Sequence, residues 1–182
     1  MMFERLYPQI PPELHSFETG EPFTTCIECS LPLIDEREPL YTITKAVQRS
    51  EVLVEWAICQ DCSSRLKENL SDESKEAMQR FIQDARTPRN HVLNSAEKKM
   101  SYCFLCARDR SLLDGYTIQA ICSGTELINL QAPLLVCHDC EEKASDLLSK
   151  KTRDHYDRFF DQHFAGPPGS AVPYDLKKII AI

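Results

Sequence analysis

The chain has 182 residues, nine of them cysteine, and carries a formal charge of −7 from 28 acidic and 21 basic side chains. The acidic excess argues against a nonspecific binder of nucleic acid or anionic membrane. Nowhere do eighteen consecutive apolar residues occur, so no membrane-spanning helix is expected.

Residues 1–22 read as an N-terminal extension with charges at Glu4 and Arg5, early prolines and no apolar core of export-signal length. The expectation is therefore a reducing, cytoplasmic setting for the cysteines. Cys26 and Cys29 form a first Cys-x-x-Cys pair, and the acids Asp35, Glu36 and Glu38 after it read as a solvated loop. Tyr41, Ile43 and Val47 then alternate with Thr42 and Thr44, and Val52, Val54, Trp56 and Ile58 repeat that period of two. The pattern predicts a β-hairpin with Trp56 in the core.

A second pair, Cys59 and Cys62, opens a predicted helix, because Cys62, Leu66 and Leu70 lie four apart on one face. Ser71, followed by Asp72 and Glu73, predicts a new N-cap with acids in the first turn. The stripe of the second helix is Met78, Phe81, Ile82 and Ala85. Residues 23–85 thus form one expected zinc-binding lobe. Residues 86–100, with Arg86, Arg89, Lys98 and Lys99 against Glu97, read as a solvated tether, a phosphate-contacting patch being the alternative.

The same unit recurs over residues 101–164. Cys103/Cys106 and Cys137/Cys140 follow the first four cysteines at offsets of 77 and 78. Leu40-Tyr41-Thr42-Ile43 matches Gly115-Tyr116-Thr117-Ile118, and Trp56 and Ile58 match Leu134 and Val136. Ser149 takes the place of Ser71 as a cap, and Tyr156, Phe159, Phe160 and Phe164 form the last helical stripe. Internal duplication accounts for this self-similarity. Residues 165–182 begin as a Pro/Gly linker and end in Ile179, Ile180 and Ile182, a tail expected to pack back, with docking on a partner as the alternative.

Four thiolates in two such pairs build a tetrahedral site, so Cys26, Cys29, Cys59 and Cys62 are assigned one structural Zn²⁺, and Cys103, Cys106, Cys137 and Cys140 a second. Four-thiolate sites also accept iron, and disulfides are a further reading of the same residues. Redox Cys-x-x-Cys chemistry calls for a βαβ context that neither copy has, and catalytic zinc calls for an open position that four thiolates do not leave. Cys122 aligns with Val47 and reads as a buried thiol. His138 has Gln60 as its counterpart, and His155 and His163 have Ala77 and Ala85, so a shared ligand or catalytic role is not expected of them.

Knuckle, hairpin and a cysteine pair at a helix start, over residues 24–70 and 101–148, resemble the treble-clef class of zinc fingers. That class often carries Gly just after the second knuckle cysteine, where this chain has Ser30 and Ala107. The resemblance implies an α+β fold of two tandem zinc-binding lobes, each a knuckle, a β-hairpin and two helices. The expected function is a non-enzymatic adaptor that binds another protein. A nucleic-acid-binding regulator is the alternative, with a basic face drawn from Arg86, Arg89, Lys98, Lys99, Lys143, Lys150, Lys151 and Arg153, and an enzyme such as a nuclease is a third class.

Overall fold

The structure, a computed structural model, describes residues 7–85, 95–128 and 133–164. Glu4, Arg5, Arg86, Arg89 and the C-terminal tail lie outside those residues. The fold is mixed helix and antiparallel sheet, as expected. Strand β1 (Leu40–Gln48) turns through Arg49 and Ser50 into β2 (Glu51–Cys59), with Tyr41 opposite Cys59 and Gln48 opposite Glu51. Both turn residues are left-handed, at φ 50° and 68°, a twist that matches a two-residue hairpin. Arg49 is held there by its N–H to the Asp114 carbonyl at 2.9 Å.

Helix α1 (Gln60–Glu68) starts where β2 stops, and α2 (Asp72–Ala85) follows after a short turn. The tether region is partly helical: α3 (Ala96–Lys99) is one turn, capped by the Ser95 side chain accepting from Lys98 N–H. The second half runs β3 (Gly115–Ser123), a short β4 (Glu126–Leu127), β5 (Leu134–Cys137), α4 (His138–Asp146) and α5 (Lys150–Phe164).

The two halves share one five-stranded sheet of order β2-β1-β3-β4, with β5 also paired to β3. Strands β1 and β3 run antiparallel, with Thr44 opposite Gln119, Tyr41 opposite Cys122 and Val47 opposite Tyr116. Tyr41 and Tyr116 are 75 positions apart, and so are Val47 and Cys122. Exchanging the strands therefore maps the pairing onto itself about the Thr44–Gln119 pair. The outer strands keep the same relation, since Cys59 lies opposite Tyr41 and Cys137 opposite Tyr116.

On one face of the sheet lie Tyr41, Ile43, Ile118, Ala120 and Cys122, all buried. The N-terminal extension covers this face. Lys45, buried in the sheet, donates from Nζ to the carbonyls of Glu13 and His15 and pairs with Glu55 at 3.0 Å. Upstream, Leu127 N–H reaches the Pro8 carbonyl at 2.8 Å, so the extension ties both hairpins together.

The helices pack on the other face. Trp56, on β2, sits among Phe159, Phe160 and Phe164 of α5, with ring centroids 5.5–5.8 Å apart. The last helix of the second half therefore packs on the hairpin of the first. The N-termini of α2 and α5 meet in a shared cap, as the two serines predict individually. Ser71 and Ser149 accept from the N–H of Ser74 and Thr152. Across the junction, Ser71 N–H donates to Thr152 Oγ1 at 3.0 Å and Ser149 N–H to Ser74 Oγ at 2.9 Å. The orphan donors of each helix start are met partly by the other helix.

Candidate metal centres

Each knuckle is a tight turn that the sequence closes on itself. Cys26 N–H donates to the Leu31 carbonyl and Ser30 N–H to the Cys26 carbonyl, both at 2.9 Å. Cys103 and Ala107 make the same two bonds in the second half. The turn needs a left-handed residue, and Ser30 at φ 58° and Ala107 at φ 57° supply it where Gly is commoner. Such a backbone costs a non-glycine residue about 1–2 kcal/mol. Ser30→Gly and Ala107→Gly are each expected to stabilise the chain by about 0.5–1 kcal/mol, the relief less the added unfolded-state entropy. Denaturant midpoints of the two variants check this.

A bond from the middle of each knuckle to an outer strand sets its distance from the second pair. Ile27 N–H donates to the Ala57 carbonyl at 2.9 Å, and Phe104 N–H to the Leu135 carbonyl at 2.7 Å. The second pair is placed by the strand-to-helix junction, where Cys59 and Cys137 are the N-cap residues of α1 and α4. As a result Cys26, Cys29, Cys59 and Cys62 come together, and so do Cys103, Cys106, Cys137 and Cys140. Within each group all four sulfurs lie within 4.8 Å of one another.

The spacing fits a metal better than a disulfide. Cys29 and Cys59 sulfurs are 3.8 Å apart, as are those of Cys106 and Cys137. A tetrahedron of Zn–S bonds near 2.3 Å has edges of about 3.8 Å, whereas a disulfide needs about 2.05 Å. In each group three cysteines are buried and one, Cys29 or Cys106, is exposed. The residues present therefore suit one tetrahedral ion per cluster, held by thiolates alone. Such an ion would supply cross-linking of knuckle to helix.

Backbone donors favour charge on one sulfur per cluster. Cys59 N–H points to Cys26 Sγ at 3.3 Å, and Cys137 N–H to Cys103 Sγ at 3.4 Å. Burial opposes ionisation of Cys26, but backbone N–H groups of Cys59, Cys29 and Glu28 outweigh it and hold its pKa below the ordinary thiol value. Cys103 is lowered by hydrogen bonds from Cys137 and Cys140. Their neighbours go the other way: burial first pushes Cys62 up to about 12, and the bond to Cys103 pushes Cys137 up to about 12. A dication displaces those protons, so metal affinity falls as pH falls.

The surroundings of the two clusters differ. Arg65, one turn after Cys62 on α1, donates from Nη2 to Cys62 Sγ at 2.9 Å. Arg108, beside the second cluster, is instead turned to Asp139 at 2.8 Å. Next to Cys140 stands Glu141, 2% exposed, whose carboxyl is raised well above its usual range by burial, with the nearby Cys103 sulfur adding to the effect. A raised folded-state pKa gives stability that is lost as pH climbs from the ordinary carboxylate range upward. Glu141→Gln is therefore expected to flatten that pH dependence. Melting curves at pH 5 and pH 8 test it.

Of the other residues weighed, Cys122 is buried in the sheet and its thiol is pushed up to about 12 by burial. His138 is half-buried, because Gly115 leaves room for its ring; a Cβ there would stand 2.2 Å from Nδ1. His163 Nε2 donates at 3.0 Å to Oε1 of Glu28, a residue between Cys26 and Cys29. Sequence reasoning missed Arg65, Glu141 and Glu28. Only Arg65 carried a local signal, its position three residues after Cys62 on a helix. Comparison with known protein families, curated proteins and solved structures found no match.

Proposed function

We propose that this is a non-enzymatic adaptor, a pair of treble-clef-like units from internal duplication, each held by one structural Zn²⁺, that binds another protein. The observation that carries the reading is the closed four-sulfur geometry, found twice at the zinc–thiolate edge length. Four thiolates leave a metal no open position for substrate, so the ion serves the fold. The duplication is supported by the self-mapping register of β1 and β3 and by left-handed Ser30 and Ala107 at matching places. The acidic balance favours a protein partner over nucleic acid.

Elemental analysis of protein purified without chelator or added metal tests the cofactor: two zinc ions per chain are expected, and iron or none would sink the zinc assignment. Partner binding is tested by affinity capture followed by reconstitution with the purified candidate. Salt-dependent binding of generic DNA or RNA, with no protein partner reconstituted, would overturn the adaptor reading in favour of a nucleic-acid regulator that uses the exposed Lys143, Lys150, Lys151 and Arg153.

A further inference from the structure

We infer that the first cysteine cluster is a metal-dependent latch for helix α5, and that the second cluster has no such role toward α2. The inference rests on the metal reading above for its first half. The contacts themselves are direct. His163, in the last turn of α5, meets Glu28 at 3.0 Å, and Glu28 stands between Cys26 and Cys29. The His163 ring is also fixed against Phe159, with centroids 4.8 Å apart. Trp56 fills the space between Phe159, Phe160 and Phe164, and three residues further along the same strand is Cys59. The Ile27–Ala57 bond joins the two supports, knuckle and strand. The seat of α5 is thus built from residues whose places depend on the first four sulfurs being drawn together.

The pseudo-equivalent seat lacks these parts. Leu105 stands at the position of Glu28, Leu134 at that of Trp56 and Ala85 at that of His163. The packing follows the chemistry: Thr152, Tyr156, Phe159 and Phe160 of α5 are buried, whereas in α2 only Ser74 is. A metal in the first cluster holds the knuckle at the strand and keeps Glu28 and Trp56 in register under α5. Its loss frees the knuckle, the His163–Glu28 contact goes, and the aromatic face of α5 opens to water. A chelating or metal-poor setting is thereby converted into exposed apolar surface on one side of the molecule.

Trp56 is the sole tryptophan, so its emission reports on this seat alone. The experiment uses the full chain and compares wild type with Cys29→Ser, Cys106→Ser and His163→Ala by metal content, tryptophan emission and amide hydrogen exchange over 150–164. Cys29→Ser is expected to lose one metal, shift Trp56 emission to longer wavelength and speed α5 exchange by about tenfold or more. Cys106→Ser is expected to lose one metal with α5 exchange changed far less. His163→Ala is expected to keep two metals yet loosen α5, and it carries the test if Cys29→Ser fails to fold. Equal loosening by Cys29→Ser and Cys106→Ser, or unchanged α5 exchange in His163→Ala, would overturn the latch. A wild-type chain without metal would end the metal reading itself, a result separate from either.

Discussion

Cys59→Ser is expected to lower the stability of the chain far more than Cys122→Ser does. Cys59 ends β2, caps α1 and supplies a buried sulfur to the first cluster. Part of the binding energy of a structural zinc site becomes folding energy, and a whole domain holds only about 5–15 kcal/mol in reserve, so losing a buried ligand costs a large share of it. The damage should not stop at the first half, because β1 pairs with β3 over its full length and α5 rests on Trp56. Cys122→Ser, by contrast, exchanges one buried group for a slightly more polar one and should cost about 1–3 kcal/mol. Circular dichroism melts of the two variants decide the matter. Equal melting would remove Cys59 from the ligand set.

Glu55→Ala is expected to cost about 3–5 kcal/mol, the usual penalty for breaking a buried ion pair by removing one partner. Lys45 Nζ lies 3.0 Å from Glu55, with side-chain exposures of 7% and 14%. The same carboxylate accepts from Ser16 Oγ at 2.9 Å and Phe17 N–H at 2.7 Å. Its loss leaves the ammonium without its counter-charge, held only by the Glu13 and His15 carbonyls, and removes two ties of the N-terminal extension to the sheet. The double variant Lys45→Met/Glu55→Leu should recover most of the stability, since a hydrophobic pair of similar volume avoids the desolvation of both charges. Urea titrations followed by Trp56 emission measure both. A loss below about 1 kcal/mol in Glu55→Ala would match an exposed pair and refute the buried role.

The cluster-forming cysteines, the strands and the helix starts were legible because their signals are local. Metal pairs recur at two-residue gaps, strands alternate in polarity, and Ser71 and Ser149 precede acids or small polar residues that close a cap. The pairing of β1 with β3 left no local trace. Both strands read as ordinary half-buried strands, and their partners lie 67 to 83 residues away, from Gln48–Gly115 to Leu40–Ser123, where only loop closure and packing decide. Lys45 shows the same limit. It sits directly opposite Glu55 in the hairpin, which alone suggests a solvated surface pair, and it is buried only because residues 13–17 fold back over it. The crossing of α5 onto Trp56 was equally hidden: its apolar stripe announces a buried face but not which sheet it meets.

The self-mapping of β1 on β3 has a consequence for any half of this chain made alone. A fragment that ends before β3 would bare the edge of β1, a row of unpaired backbone groups along nine residues. The register already in place is pseudo-symmetric, each strand meeting the other at matching positions about the Thr44–Gln119 pair. Two copies of the fragment could satisfy that edge by placing Thr44 against Thr44 and Tyr41 against Val47. On that register the isolated half is expected to dimerise, which sedimentation of the fragment would show.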